Sequence, residues 1–259
     1  MRVGFVGAGN MAGGLARGWA AAGGEPSAPD AMLFADADPA KAKALAEEVG
    51  GEAMAGNVAV ADGADLVVLA VKPNVLDEVA PDLVQAGTPV LSILAGTTLE
   101  TLHEALPGID LVRLMPNLGA QLRQAVLCVV YGEKVSAKER ERVAQLLSLI
   151  GDVIELDEDL IDAATAIMGC SPGYLALMAE VLVEAGVREG LTDEQALRMV
   201  ARSMSATGGL LDVHDPGALK RAVASPGGMT EAGLNALEEH KIHEALNAAV
   251  DASLERARK

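Results

Sequence analysis

The residues best suited to chemistry lie in two glycine-rich turns, one near each end of the chain. At the start, the apolar run Arg2-Val3-Gly4-Phe5-Val6 leads into Gly7-Ala8-Gly9-Asn10-Met11-Ala12, and a helical stretch continues to about Ala22. Gly7 permits a tight turn, Gly9 lets the backbone approach phosphate oxygens, and the small Ala12 lets the helix pack on the strand. A dinucleotide pyrophosphate fits such a helix N-terminus, where unpaired N–H groups and the helix dipole coincide. Glycine loops of this kind also occur in α/β proteins that bind no nucleotide, but here the strand and the helix are both present. Asp36 closes the next strand, Met32 to Ala35, where an adenosine ribose would lie. A carboxylate there accepts both ribose hydroxyls and repels a phosphate on the 2′ oxygen. With Asp38 as a second acid and no arginine between it and Lys41, NADH is expected over NADPH. The plainer alternatives are a solvated acidic turn or an N-cap at Asp38.

Near the other end, Ser225-Pro226-Gly227-Gly228-Met229-Thr230 opens an amphipathic helix read as continuous from Thr230 to Arg256. Two glycines at a helix start are expected to expose unpaired amides, and the dipole adds to their pull on a small carboxylate. Thr230 places a hydroxyl in the first turn, able to donate to a substrate nitrogen or oxygen. The alternative is that Ser225 or Thr230 merely caps the helix. Between the two turns, Val71-Lys72-Pro73 and Leu94-Ala95-Gly96 end strands on the edge where a nicotinamide would lie. Lys72 would sit near the phosphates or the ring edge, or else be only solvated, and Pro73 stiffens the turn. Arg113, on a later strand, is expected to form a structural ion pair rather than to act in catalysis.

The elements that must hold these residues alternate as strands and helices up to about residue 157. Leu66 to Val71 is a continuous apolar run, as expected of a central parallel strand buried on both faces. Val90 to Ala95, Leu111 to Met115, Val126 to Tyr131 and Val153 to Leu156 continue the series. From Leu160 onward only helix-period segments appear, so the expected organisation is a Rossmann-type parallel sheet in residues 1–157 and an all-helical domain in 158–259. The helix carrying Leu175, Leu177, Met178, Val181, Leu182, Val183, Ala185 and Val187 is apolar almost all round and must be buried on more than one side. A second subunit is expected to supply the other wall, the alternative being the central helix of a monomeric bundle.

Composition narrows the partners. A net charge of −17 with pI near 4.6 excludes nucleic acid or an anionic membrane as the main partner. Aromatics are only 2%, so Ala, Val, Leu and Met must do most of the packing. A strand beginning at residue 2 leaves no room for a signal peptide, and Glu180 and Glu184 are read as interrupting the one stretch greasy enough to suggest a membrane span. Cys128 and Cys170 form no disulfide framework or metal spacing, and His240 and His243 have nothing nearby to complete a metal site. A cytoplasmic protein with reduced thiols and no metal is expected.

Taken in chain order, a set of motifs stands out: Gly4-Phe5-Val6-Gly7-Ala8-Gly9-Asn10-Met11, Asn57 at a helix start, Leu69-Ala70-Val71-Lys72-Pro73, and Ser92-Ile93 with Ala95-Gly96. Arg113 to Asn117, Pro172 to Tyr174, and Ser225-Pro226-Gly227-Gly228 with Thr230 complete it. In these pieces the chain resembles the pyrroline-5-carboxylate reductases over nearly its whole length. The glycine turn alone is generic, whereas its combination with the Met-Pro-Asn and Ser-Pro-Gly-Gly turns is specific. The resemblance implies a Rossmann domain followed by a helical domain that interleaves with its partner in a homodimer, in some members built into larger rings. It implies NAD(P)H-dependent reduction of a cyclic imino acid, 1-pyrroline-5-carboxylate, to L-proline. By the same resemblance Val6, Gly7, Ala8, Gly9, Asn10, Met11, Asn57, Ala70, Val71, Lys72, Pro73, Leu94, Ala95 and Gly96 touch the cofactor. Ser225, Gly227, Gly228 and Met229 would hold the substrate, with Thr230 catalytic.

The chain departs from the family pattern in three places. Leu118-Gly119-Ala120 and Arg123-Gln124-Ala125 replace a Thr-Pro-Ala segment and a Gly-Glu-Gly turn, Met168 to Gly173 replaces a Ser-Gly-Ser-Gly-Pro-Ala turn, and Met229 stands where a small residue or threonine is usual. A different cyclic imine, or a degenerate homologue that only binds the cofactor, are therefore the alternatives. A related hydroxyacid dehydrogenase would need an interdomain lysine, and none occurs between Lys138 and Lys220.

Overall fold

The structure is a computed structural model and describes residues 1–257. Tertiary contacts divide it into two units, residues 1–169 and 170–257.

The first unit opens with β1 (Arg2–Val6), α1 (Asn10–Ala21), β2 (Ala31–Ala35), α2 (Pro39–Val49), the short β3 (Glu52–Ala53) and α3 (Asn57–Gly63). It continues through β4 (Leu66–Leu69), α4 (Leu76–Ala86), β5 (Val90–Ser92), α5 (Leu99–Ala105) and β6 (Leu111–Pro116). The remaining elements are β7 (Ala125–Tyr131), α6 (Ala137–Ser148), β8 (Gly151–Glu155) and α7 (Ile161–Ala164). One eight-stranded sheet runs in the order β3-β2-β1-β4-β5-β6-β7-β8. The chain winds outward from β1 to β3 and then crosses back to β4, which places a topological switch point between β1 and β4.

The expected Rossmann-type sheet is present, with one refinement. Strands β1 to β6 are mutually parallel, but β7 pairs antiparallel with β6 and β8 runs parallel to β7. The reason is connection length: only the short turn around Leu118–Leu122 separates β6 from β7, whereas a parallel return needs a crossover of about a dozen residues. The two-residue β3 was also not expected.

Three of the few aromatic side chains brace the strands behind the glycine turn. Phe5 stacks on Phe34 with ring centroids 4.8 Å apart, and Trp19 lies 5.9 Å from Phe5. The indole N–H of Trp19 donates to the carbonyl of Leu146, fastening α1 to α6 across that face. Valine and leucine fill most of the remainder, including the fully buried Val67 and Leu69 of β4. Residues 158–169 pack on this unit: Ile161 and Met168 share a cluster with Met115, Cys128 and Val130.

The second unit contains α8 (Ser171–Arg188), α9 (Asp193–Leu211), α10 (Pro216–Val223), α11 (Met229–Glu239) and α12 (Ile242–Ala257). Residues 258 and 259 of the expected helical domain lie outside the described residues. A capping box at Thr192 and Gln195 starts α9, and the Tyr174 hydroxyl meets Ser253 Oγ at 2.6 Å, joining α8 to α12. The helix expected to run unbroken from Thr230 is interrupted, because Lys241 adopts a left-handed conformation (φ 58°) and α11 ends at Glu239 with His240 as its C-cap. His243 therefore sits on a separate helix from His240, where it contacts Glu238 at 3.2 Å.

Helix α8 has no buried residue in the chain, with Leu177 61% and Val181 57% exposed. This argues against the monomeric-bundle alternative, since the chain itself leaves the helix uncovered. Contrary to the sequence expectation, Glu158–Arg188 is long and apolar enough by composition to cross a membrane; two glutamates do not outweigh its leucines and valines. The segment is not a single regular helix, since a π-helical turn occupies Thr165–Gly169.

Candidate active site

Parallel strands place the ends of β1, β2, β4 and β5 on one edge of the sheet, and the first group of expected site residues follows these ends. Gly7 has φ +102°, and a Cβ there would lie 2.5 Å from the carbonyl oxygen of Ala70, so only glycine fits where the β1 turn crosses the end of β4. Its N–H donates to Ala35 O at 2.8 Å, and Ala70 N donates to Val6 O at 2.8 Å, which knits the three strand ends together. Gly9 is the N-cap of α1, and the first helical bond runs from Gly13 N to Gly9 O. The amides of Asn10, Met11 and Ala12 thus have no partner among the described residues.

Asp36 is fixed by backbone on both sides. One carboxylate oxygen accepts the Ala8 amide at 2.7 Å and the other accepts the Asp38 amide at 2.9 Å. Each oxygen keeps a free lone pair, which leaves a pre-oriented pair of acceptors at the end of β2. Asp38 does cap α2, through Ala40 N at 3.0 Å. The N-cap alternative therefore holds for Asp38 and not for Asp36.

The other expected positions lie along the same edge. Lys72 is exposed and has no ion-pair partner among the described residues, and Pro73 starts a short 3-10 turn directly after it. Leu94 is buried while Ala95 and Gly96 are exposed. Asn57 begins α3, but its side-chain amide donates to Asp82 at 3.0 Å, so α4 sets its orientation. Val71 is half-buried behind this edge.

Arg113 is the structural ion pair that was expected. It is buried, and its Nη1 donates to Glu158 Oε1 at 2.8 Å. The same oxygen accepts the Leu99 amide at 2.6 Å, so one carboxylate ties β6 to the start of α5. Asn117 has a comparable role: its Oδ1 accepts the amides of Gly119 and Val126, and its Nδ2 donates to Met168 O, each at 3.2 Å. Asn117 thereby supports both the β6–β7 turn and the π-helical turn.

In the second unit, the Ser225–Thr230 turn differs from expectation in which amides are free. The Gly227 N–H donates to Glu231 Oε2 at 2.7 Å, and the Gly228 N–H donates to Ser225 O at 2.9 Å, so neither glycine amide is unpaired. Gly227 is left-handed (φ +73°) and Gly228 is the N-cap, which moves the donors without a partner among the described residues one step along to Met229, Thr230 and Glu231. Neither Ser225 nor Thr230 caps the helix, since α11 has no side-chain cap bond. The Thr230 hydroxyl has no hydrogen-bond partner among the described residues, and Met229 is 94% exposed.

Known proteins match this chain from end to end. Residues 158–259 match the family model described as pyrroline-5-carboxylate reductase dimerisation, and residues 2–96 match one described as NADP oxidoreductase coenzyme F420-dependent. A pyrroline-5-carboxylate reductase of Pseudomonas aeruginosa is 36% identical over 99% of this chain and 97% of its own length. The chain belongs to the pyrroline-5-carboxylate reductase family. The 1-pyrroline-5-carboxylate reductase structure from Streptococcus pyogenes superposes with TM-score 0.88 at 28% identity, covering 99% of this chain and 98% of that one. A Plasmodium falciparum pyrroline carboxylate reductase with NADP bound gives 0.86 at 26% identity, covering 99% and 97%. The family is one of NAD(P)H-dependent oxidoreductases acting on a C=N bond, and this chain carries its dimerisation domain.

The residues present fit such a cofactor. A Cβ on Gly9 would meet no atom within 4 Å, the first-turn amides of α1 are unpaired, and Asp36 is held with acceptors to spare. Among the described residues no cluster of His, Cys, Asp and Glu could hold a metal. Sequence reasoning missed Glu158 as the partner of Arg113, Asp82 behind Asn57, and Glu231 on Gly227. Only the last had a local signal, a glutamate three residues after an N-cap position.

Proposed function

We propose that the protein reduces 1-pyrroline-5-carboxylate to L-proline with NADH as the preferred donor, in the cytoplasm, as a homodimer or an assembly of dimers. Cofactor contacts are assigned to Val6, Gly7, Ala8, Gly9, Asn10, Met11, Asn57, Ala70 to Pro73, and Leu94 to Gly96. Here the unpaired amides of α1 would hold the pyrophosphate and Asp36 the ribose hydroxyls. A bound reduced nicotinamide supplies the hydride that the C=N carbon accepts. The substrate is assigned to the Ser225–Thr230 turn, its carboxylate on the amides at the start of α11. Thr230 donates a hydrogen bond to the ring nitrogen and relays or orients the proton that the nitrogen gains, drawn in the end from water.

The observation that carries this reading is the Thr230 hydroxyl beside the amides in the first turn of α11, none of which has a hydrogen-bond partner among the described residues. Free thiols at Cys128 and Cys170 fit a reducing compartment. The division between residues 1–157 and 158–259 is proposed as that between cofactor and substrate roles. The test measures NADH and NADPH oxidation with 1-pyrroline-5-carboxylate beside its six-membered analogue. Thr230→Val should cut kcat by about a hundredfold, the low end for a positioned proton-handling group, with KM for the cofactor unchanged. Intact turnover in that variant would remove Thr230 from the mechanism. A strong preference for the six-membered ring would reassign the substrate, as the exposed Met229 beside Thr230 allows.

A further inference from the structure

The turn assigned to the substrate carboxylate already holds a carboxylate of the protein's own. Glu231, in the first turn of α11, reaches back so that its Oε2 accepts the Gly227 amide at 2.7 Å. This places a negative charge at the positive end of the helix dipole, beside the unpaired amides of Met229 and Thr230. No lysine, arginine or histidine pairs with Glu231 among the described residues; Lys220 and His243 engage Glu238, two turns further along α11. An imino acid carboxylate entering the same turn meets both a competitor for main-chain donors and an unneutralised like charge.

We infer that Glu231 is an internal competitor for the substrate's carboxylate. It occupies the Gly227 amide when the imino acid is absent, gives way on binding, and returns to help expel the amino acid product. The inference rests on the assignment of this turn to the substrate. A helix cap would require only the hydrogen bond, which glutamine can also accept. Competition additionally requires the charge, and that difference makes the two roles separable.

The experiment compares wild type, Glu231→Gln and Glu231→Ala in steady-state assays with 1-pyrroline-5-carboxylate and with 1-pyrroline, which lacks the carboxylate. Both variants should lower KM for the carboxylate-bearing imine by about fivefold or more, the effect of one unit charge removed from ~4 Å even at the dielectric of water. KM for NADH and for 1-pyrroline should not move, inhibition by L-proline should tighten, and added salt should narrow the gap between wild type and the two variants. An unchanged or raised KM for the carboxylate-bearing imine, or a parallel change for 1-pyrroline, overturns the inference. So does a lowered melting temperature with KM unaltered, which marks a cap alone. If wild type reduces 1-pyrroline-5-carboxylate and Thr230→Val blocks it while the Glu231 variants behave as wild type, this inference falls and the proposed function stands. If wild type reduces no carboxylate-bearing imine, both fall.

Discussion

Replacing Asp36 with serine should invert the cofactor preference, and the structure sets the scale of the change. The Asp36 oxygens are oriented by the amides of Ala8 and Asp38 at 2.7 and 2.9 Å, leaving one acceptor on each for a ribose hydroxyl. A hydrogen bond to a charged group contributes about 1.5–3 kcal/mol, so losing the ionised acceptor should raise KM for NADH by about ten- to a hundredfold. A 2′-phosphate of charge about −2 at ~5 Å from the carboxylate is repelled by about 1.7 kcal/mol even at the dielectric of water, so KM for NADPH should fall by about tenfold or more. Serine also weakens the tie to Ala8, which would loosen the glycine turn for either cofactor. Asp36→Asn serves as the control, since it keeps one acceptor for Ala8 while removing the charge. Initial rates with both cofactors at saturating imine give the ratio directly. A wild type that prefers NADPH, or an Asp36→Asn variant whose two KM values rise together, would refute the reasoning.

Two further outcomes follow from the described packing. Leu177→Glu with Val181→Glu on α8 should leave the far-ultraviolet spectrum of the first unit's sheet intact but convert the sedimenting species to a monomer at micromolar concentration; both side chains are more than half exposed in the single chain, so a retained dimer would place the interface elsewhere. Cys128 is buried, and that burial pushes its thiol above the ordinary range, so it stays protonated at pH 8 and should alkylate only on unfolding, as peptide mapping after iodoacetamide treatment would show. Rapid labelling of Cys128 in the native protein would contradict its place in the core.

The cofactor half was readable because each of its signals is local. A strand, two glycines, a helix and an acid at the next strand's end occupy fixed offsets, and the parallel sheet then brings Val6, Asp36, Ala70 and Leu94 to one edge. The reversal at β7 was not readable from periodicity, since buried strands look alike in either direction and only the short Leu118–Leu122 connection decides between them. The break at Lys241 carries no glycine or proline signal, so a left-handed lysine is invisible in a helical pattern. Around Thr230, sequence identified the turn but not its hydrogen bonds. Which amides remain unpaired depends on Gly227 being left-handed and on a glutamate one turn away. Long-range partners such as Glu158 for Arg113 are set by the fold and leave no trace in spacing.

The uncovered face of α8 ties the fate of each polypeptide to its neighbours. Where folding and association are coupled, the apparent melting temperature climbs with protein concentration, and dilution alone can inactivate.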